Sequence, residues 1–126
     1  MKQIFAALAA AVVIAASSGA FAMSPTKSME TGLGTVLTDS KGMTLYTFKK
    51  DTAGKSVCNG KCATAWPPLM ADADAMTEGD YSVITRDDGS KQWAYKGMPL
   101  YGWFKDTKPG DTTGHGFKGI WDVARP

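Results

Sequence analysis

The sequence predicts a mainly β fold: two fused repeats of antiparallel hairpins and meander forming one small domain, with a short helix near residues 59–66. Three observations carry that prediction. Residues 41–52 (KGMTLYTFKKDT) return later in the chain as residues 96–107 (KGMPLYGWFKDT), with eight of twelve positions identical and no gap. Trp66 and Trp121 keep the same offset, so the copy continues past the obvious match. Around both segments, β-branched and aromatic residues alternate between turns rich in Gly, Asp and Pro.

Taken in order, residues 1–22 have a basic start at Lys2, an apolar run from Ile4 to Ala16 and the small-residue ending Ala20-Phe21-Ala22. That is the pattern of a cleaved secretory signal, and the run is too short to span a bilayer. Residues 23–34 are rich in Ser, Thr and Gly without apolar periodicity and read as a flexible leader. Residues 35–126 are then a single β-rich domain whose copies occupy about 36–70 and 91–126. With 14 basic and 12 acidic residues spread along the chain, no basic stripe forms, which argues against nucleic acid or anionic membrane as partner.

Within the first copy, Val36-Leu37-Thr38 and residues 43–48 flank Asp39-Ser40-Lys41-Gly42, which predicts a hairpin with glycine supplying the positive φ. Asn59 is positioned to cap a helix over residues 59–66 that Pro67-Pro68 ends. Residues 70–79 read as an irregular linker, with a second short helix as the alternative, since Asp72, Asp74 and Gly79 bracket a weak pattern. In the second copy Val83-Ile84-Thr85, Trp93-Ala94-Tyr95 and residues 98–101 make a three-stranded meander turning at 86–89 and at Lys96-Gly97. Pro99 lacks an amide donor and places its strand at an edge, and residues 117–123 supply the last strand.

On a strand alternate side chains share a face, so Tyr46 with Phe48 and Tyr101 with Trp103 point one way while Leu45 and Leu100 point the other. The first reading of the aromatic faces is core, with Trp66 and Trp121 covering them. A buried tyrosine needs a hydrogen-bond partner. Asp51 and Asp106, five residues after each tyrosine, would supply it across the following turn or cap that turn's amides. A sharper reading makes the same faces a groove for a sugar, peptide or flat organic ligand, with Asp51 and Asp106 as its polar anchors. A third makes Asp51 and Asp106 the paired carboxylates of a hydrolase.

Cys58 and Cys62 are spaced to bridge, and an exported protein meets an oxidising compartment, so a structural disulfide is expected. The competing reading is thiol redox chemistry or soft-metal binding, with copper as the metal and Met43, Met98 and the lone His115 as further donors. Core packing accounts for the methionines, and a solvated loop for His115.

Two copies of tyrosine, four residues, aspartate, with an aromatic two after each tyrosine at Phe48 and Trp103, resemble the bacterial secreted-repeat lipoproteins. Residues 56–63 leading to Trp66-Pro67-Pro68-Leu69, and Gly110-Asp111 leading to Gly119-Ile120-Trp121, extend the likeness over nearly all of 34–126. The resemblance implies an envelope location and carries no assigned activity. It departs in one respect: the only cysteines are Cys58 and Cys62, so none follows the signal to accept a lipid. The expected protein is thus a periplasmic or secreted, non-catalytic binding or structural module without a cofactor. Its expected partner is a small ligand or an envelope component.

Overall fold

The computed structural model describes residues 24–126, so the expected signal over 1–22 lies outside the described residues. β1 (Lys27–Thr31) pairs antiparallel with β2 (Gly34–Thr38), Lys27 facing Thr38 and Thr31 facing Gly34. This corrects the reading of 23–34 as a flexible leader. Ser28 and Glu30 flank Met29 in a strand that pairs along its whole length with β2, so tertiary pairing outweighs a composition that looks unstructured.

After β2 the chain turns at residues 39–42, with Gly42 at φ 86° and the Asp39 carboxylate accepting the amides of Lys41 and Met43. The Thr38–Thr44 bridge and the Leu45 amide on the Leu37 carbonyl make the expected hairpin. It ends there. β3 (Tyr46–Phe48) leaves β2 and pairs with β7 (Trp121–Val123) at the far end of the chain, Tyr46 opposite Val123 and Phe48 opposite Trp121. The expected strand over 117–123 is therefore shorter, because Phe117–Gly119 closes a 3₁₀ turn before it.

Helix α1 (Lys61–Ala65) is a turn and a half. Gly60, not Asn59, occupies its cap position without a side-chain bond. The Asn59 side chain is engaged elsewhere, donating to Asp87 and accepting from Arg86, so a long-range network displaces the local cap. Residues 71–77 form the linker, with one turn closed by the Ala75 amide on the Asp72 carbonyl. The second copy supplies β4 (Tyr81–Thr85), β5 (Lys91–Tyr95) and β6 (Met98–Pro99) as a meander with Pro99 in its edge strand. Lys96 (φ 50°) and Gly97 (φ 88°) are both left-handed, as a two-residue hairpin turn matching strand twist requires.

The copies meet at Tyr46 and Tyr101, whose amides and carbonyls bond each other reciprocally at 2.7 and 3.0 Å. From this bridge outward, equivalent bonds recur. The Lys49 amide reaches the Ile120 carbonyl, and at the equivalent position of the second copy the Phe104 amide reaches the Ala65 carbonyl. Each tyrosine segment therefore pairs with the tryptophan segment of the other copy: 46–49 with 120–123, and 101–104 with 65–68. This arrangement has the connectivity of an intertwined dimer fused into one chain. Alternation along both strands then separates two cores, one aromatic around Tyr46, Phe48, Trp66, Tyr101, Trp103 and Trp121, the other aliphatic around Leu37, Leu45 and Leu100.

Because neither copy can complete its own strand pairing, fragments 24–75 and 76–126 are each expected to be unfolded alone. Mixed at equal concentration they should recover the far-ultraviolet circular dichroism of the intact protein. A fragment that shows cooperative melting by itself would contradict the exchange of strands.

Candidate functional site

Tyr46 and Tyr101 are fully buried side by side, so each hydroxyl has to be satisfied inside the protein. Their partners are crossed: Tyr46 Oη donates to Asp106 Oδ2 at 2.7 Å, and Tyr101 Oη donates to Asp51 Oδ2 at 2.6 Å. The sequence reading paired each tyrosine with the aspartate five residues on. The bridge between the tyrosines prevents this pairing, since it carries each ring across to the turn after the opposite strand. The second half of that expectation stands, because the free oxygens cap the turns. Asp51 Oδ1 accepts the Val57 amide, and Asp106 Oδ1 accepts the amide and hydroxyl of Thr113.

Each clasp is completed differently. Tyr46 Oη accepts the Gly114 amide at 3.2 Å. A Cβ on Gly114 would lie 2.8 Å from Trp66 Cη2 and 2.9 Å from Trp103 Cγ, so only glycine lets this turn close on the rings. On the other side Tyr101 Oη, its hydrogen directed to Asp51, accepts from Ser56 Oγ at 2.6 Å. Ser56 in turn accepts from the buried Arg86, whose guanidinium also reaches Gln92 Oε1, the Cys58 carbonyl and Asn59 Oδ1. Arg86 is buried without a carboxylate in contact. Its charge is balanced through Ser56 and Tyr101 by Asp51, a chain of hydrogen bonds in a low-dielectric interior. Ser56, Arg86, Gln92, Thr113 and Gly114 are residues to which the sequence reading gave no role in the site.

Burial, with the neighbouring Asp106 and Asp51 carboxylates, raises both tyrosine hydroxyls well above their usual range. Burial also raises Asp51, opposed by its bonds from Tyr101 and Val57 and by Arg86. Both oxygens of each carboxylate are engaged, and neither carboxylate lines the groove above the rings.

Over the tyrosines lies a ladder of four rings. Phe48 stacks on Trp121 at 4.2 Å, Trp121 on Trp66 at 3.8 Å and 2° between planes, and Trp66 on Trp103 at 3.9 Å. Tyr46 meets Trp66 edge-on at 5.3 Å and Tyr101 meets Trp121 likewise at 5.2 Å, so the ladder keeps the twofold relation of the copies. Its open side is a groove of about 500 Å³, floored by these rings and Cys62 and edged by Phe104 and Phe117. Phe104 is 57% exposed and Phe117 37%. Lys61, Lys105 and Lys118 stand on its rim and no acidic residue lines it. Of the six aromatic residues expected at the groove, Phe48, Trp66, Trp103 and Trp121 line it and Tyr46 and Tyr101 are buried and do not, while Phe104, Phe117 and the lysines lay outside the expectation. The signal was in the repeat, since Phe104 stands where the first copy has Lys49, and Phe117 where it has Cys62.

Cys58 and Cys62 form a disulfide that ties helix α1, and with it Trp66, to the loop whose Cys58 carbonyl holds Arg86. Both sulfurs are consumed in it. Met43 follows the first hairpin turn, Met98 lies in β6, and His115 is an exposed loop residue whose Nδ1 accepts the Val123 amide. Among the described residues no three His, Cys, Asp or Glu side chains gather to hold a metal.

Above about pH 10 the tyrosines of the unfolded chain ionise while Tyr46 and Tyr101 keep their protons in the fold. The unfolded state then binds fewer protons, so stability, undiminished below that pH, falls as pH rises by up to about 1.4 kcal/mol per unit for each tyrosine. Urea melts between pH 8 and 12 should show this slope, and Tyr101→Phe should roughly halve it. A slope that Tyr101→Phe leaves unchanged would place the linkage elsewhere.

No curated protein matches the chain, and no solved structure does. A family model does match, over residues 27–70 and again over 82–125, and so includes β1 within the first copy. No helix among the described residues is long and apolar enough to cross a membrane. With both copies matched across the clasps and the ring ladder, the chain belongs to the family described as a secreted repeat of unknown function, Lipoprotein_15.

Proposed function

We propose that the protein is an exported, non-catalytic module of the bacterial envelope that binds a small organic ligand in the aromatic groove. One observation carries this reading: where the twofold scaffold needs only a solvated residue, as at Lys49, the second copy exposes Phe104 beside Phe117. Apolar side chains of this size left open next to stacked tryptophans fit a ligand site better than a surface built for solubility. The clasps lie beneath, with both carboxylates committed to the turns, which favours a rigid floor over a reacting centre. Export is supported by the secretory pattern of residues 1–22 and by the secreted description of the family. The sequence after that pattern, with Cys58 and Cys62 as its only cysteines, favours a periplasmic or released protein without a lipid.

The test is a titration followed by the indole resonances in nuclear magnetic resonance, using a set of mono- and bicyclic aromatics, sugars and short peptides. The expected result is saturable movement of the Trp66, Trp103 and Trp121 signals by at least one aromatic, lost in Phe104→Ser/Phe117→Ser while the melting temperature stays within a few degrees. Binding that moves only signals remote from these three tryptophans would refute the groove as the site.

A further inference from the structure

We propose that the groove selects a flat aromatic anion, a body of one or two fused rings carrying a carboxylate, sulfonate or phosphate. The inference rests on the groove being the ligand site and names the chemistry that site would accept. Its floor is aromatic: rings of Phe48, Trp66, Trp103 and Trp121 contribute, with Phe104 and Phe117 at the edge. Aromatic pairs gain free energy beyond the area they bury, so a planar π-system is favoured over a saturated ring of equal size by roughly three- to tenfold. Its rim is cationic. Lys61, Lys105 and Lys118 all border the opening and are exposed, and none takes part in the ion pairs found among the described residues, which use Lys49, Lys55 and Lys108.

Two of these cations sit over the exposed rings themselves, Lys105 Nζ 5.7 Å from the Phe104 centroid and Lys118 Nζ 5.5 Å from that of Phe117. Charge is therefore held where a ligand's edge would emerge, not dispersed into solvent. The asymmetry of the repeat points the same way. Lys118 stands where the first copy has Ala63, and Phe104 and Phe117 where it has Lys49 and Cys62, so one rim charge and both exposed rings are additions of the second copy, while Lys61 is the first copy's own against Gly116. With no acidic residue on the lining, a cationic aromatic meets repulsion and an anionic one meets three complementary charges.

Three probes of one shape separate the terms: 2-naphthoate, 2-naphthylmethylammonium and decalin-2-carboxylate, titrated into the purified protein at low and high salt. Tryptophan fluorescence and the indole resonances are read together. We expect 2-naphthoate to bind with a Kd below about 1 mM and to weaken as salt screens the rim. The ammonium probe should bind roughly tenfold less tightly. The saturated carboxylate should fall between, and Lys61→Gln/Lys105→Gln/Lys118→Gln should remove the anion preference while the protein still binds neutral 2-naphthol.

Equal binding of the naphthoate and the ammonium probe at the tryptophans would overturn the anion selectivity and leave the groove as a site. Equal binding of naphthoate and its saturated analogue would overturn the aromatic selectivity alone. No movement of Trp66, Trp103 or Trp121 by any probe would overturn the ligand site as well. Indole shifts that track protein concentration without probe would assign the groove to a second copy of the chain and overturn the proposal.

Discussion

Two tyrosines bonded back to back through their main chains, each donating a hydroxyl hydrogen bond to an aspartate of the other copy, hold this fold in register. The reciprocal amide and carbonyl bonds of Tyr46 and Tyr101 fix where the copies cross. The crossed hydroxyls then fix the path of the chain beyond the strands. Asp51 and Asp106 can bind the opposite tyrosine only if the turns at 52–57 and 107–113 fold around the remaining oxygens. Those turns carry the chain into the tryptophan segments, which pair back onto the strands that began the exchange. A hydrogen bond from a neutral donor to a buried carboxylate contributes about 1.5–3 kcal/mol, large against the stability of a small domain. Burial disfavours the charge on Asp51, and two hydrogen bonds, from Tyr101 and from the Val57 amide, with Arg86 nearby, oppose that cost.

Much of this was legible because repetition is a strong signal. A constant, ungapped offset between the copies predicts equivalent strands, equivalent turns and alternation into two faces; the paired segments and the two faces are found, while the turns differ, with positive φ at Gly42 alone in the first and at both Lys96 and Gly97 in the second. The crossing was not legible, since an offset relates two copies without saying which copy's aspartate a tyrosine meets. β1 is obscured for a different reason: residues 23–34 are polar and contain glycine, a composition without apolar periodicity. Moving the readable strand at Val83-Ile84-Thr85 back by one repeat length lands on Ser28-Met29-Glu30, inside β1. Asn59 failed as a cap because Arg86 and Asp87, distant in sequence, compete for its side chain. No local pattern reports that.

The ring ladder shows how a structural symmetry leaves room for an asymmetric surface. Phe48 and Trp103 occupy equivalent ends and Trp66 and Trp121 the equivalent centre, so the stack is a product of duplication. Its lining is not. Cys62 corresponds to Phe117 and Ala65 to Ile120 across the pseudo-axis, while Lys49 and Phe104 have parted in character. The tyrosine and aspartate of each clasp are alike in the two copies, while the residues that complete the clasps and those that line the groove differ. The disulfide fits this division, since it fixes the short helix carrying Trp66 with a loop closure that contributes roughly 2 kcal/mol.

The crossed pairing is tested most directly by a double-mutant cycle on the melting free energy of the intact protein, combining Tyr46→Phe in turn with Asp106→Asn and with Asp51→Asn. Crossed clasps give a coupling of about 1–2 kcal/mol for Tyr46 with Asp106 and a much smaller one for Tyr46 with Asp51. Strong coupling of Tyr46 to Asp51, with Asp106 additive, would mean that each copy closes on itself, and the account of the fold and of the groove above it would not stand.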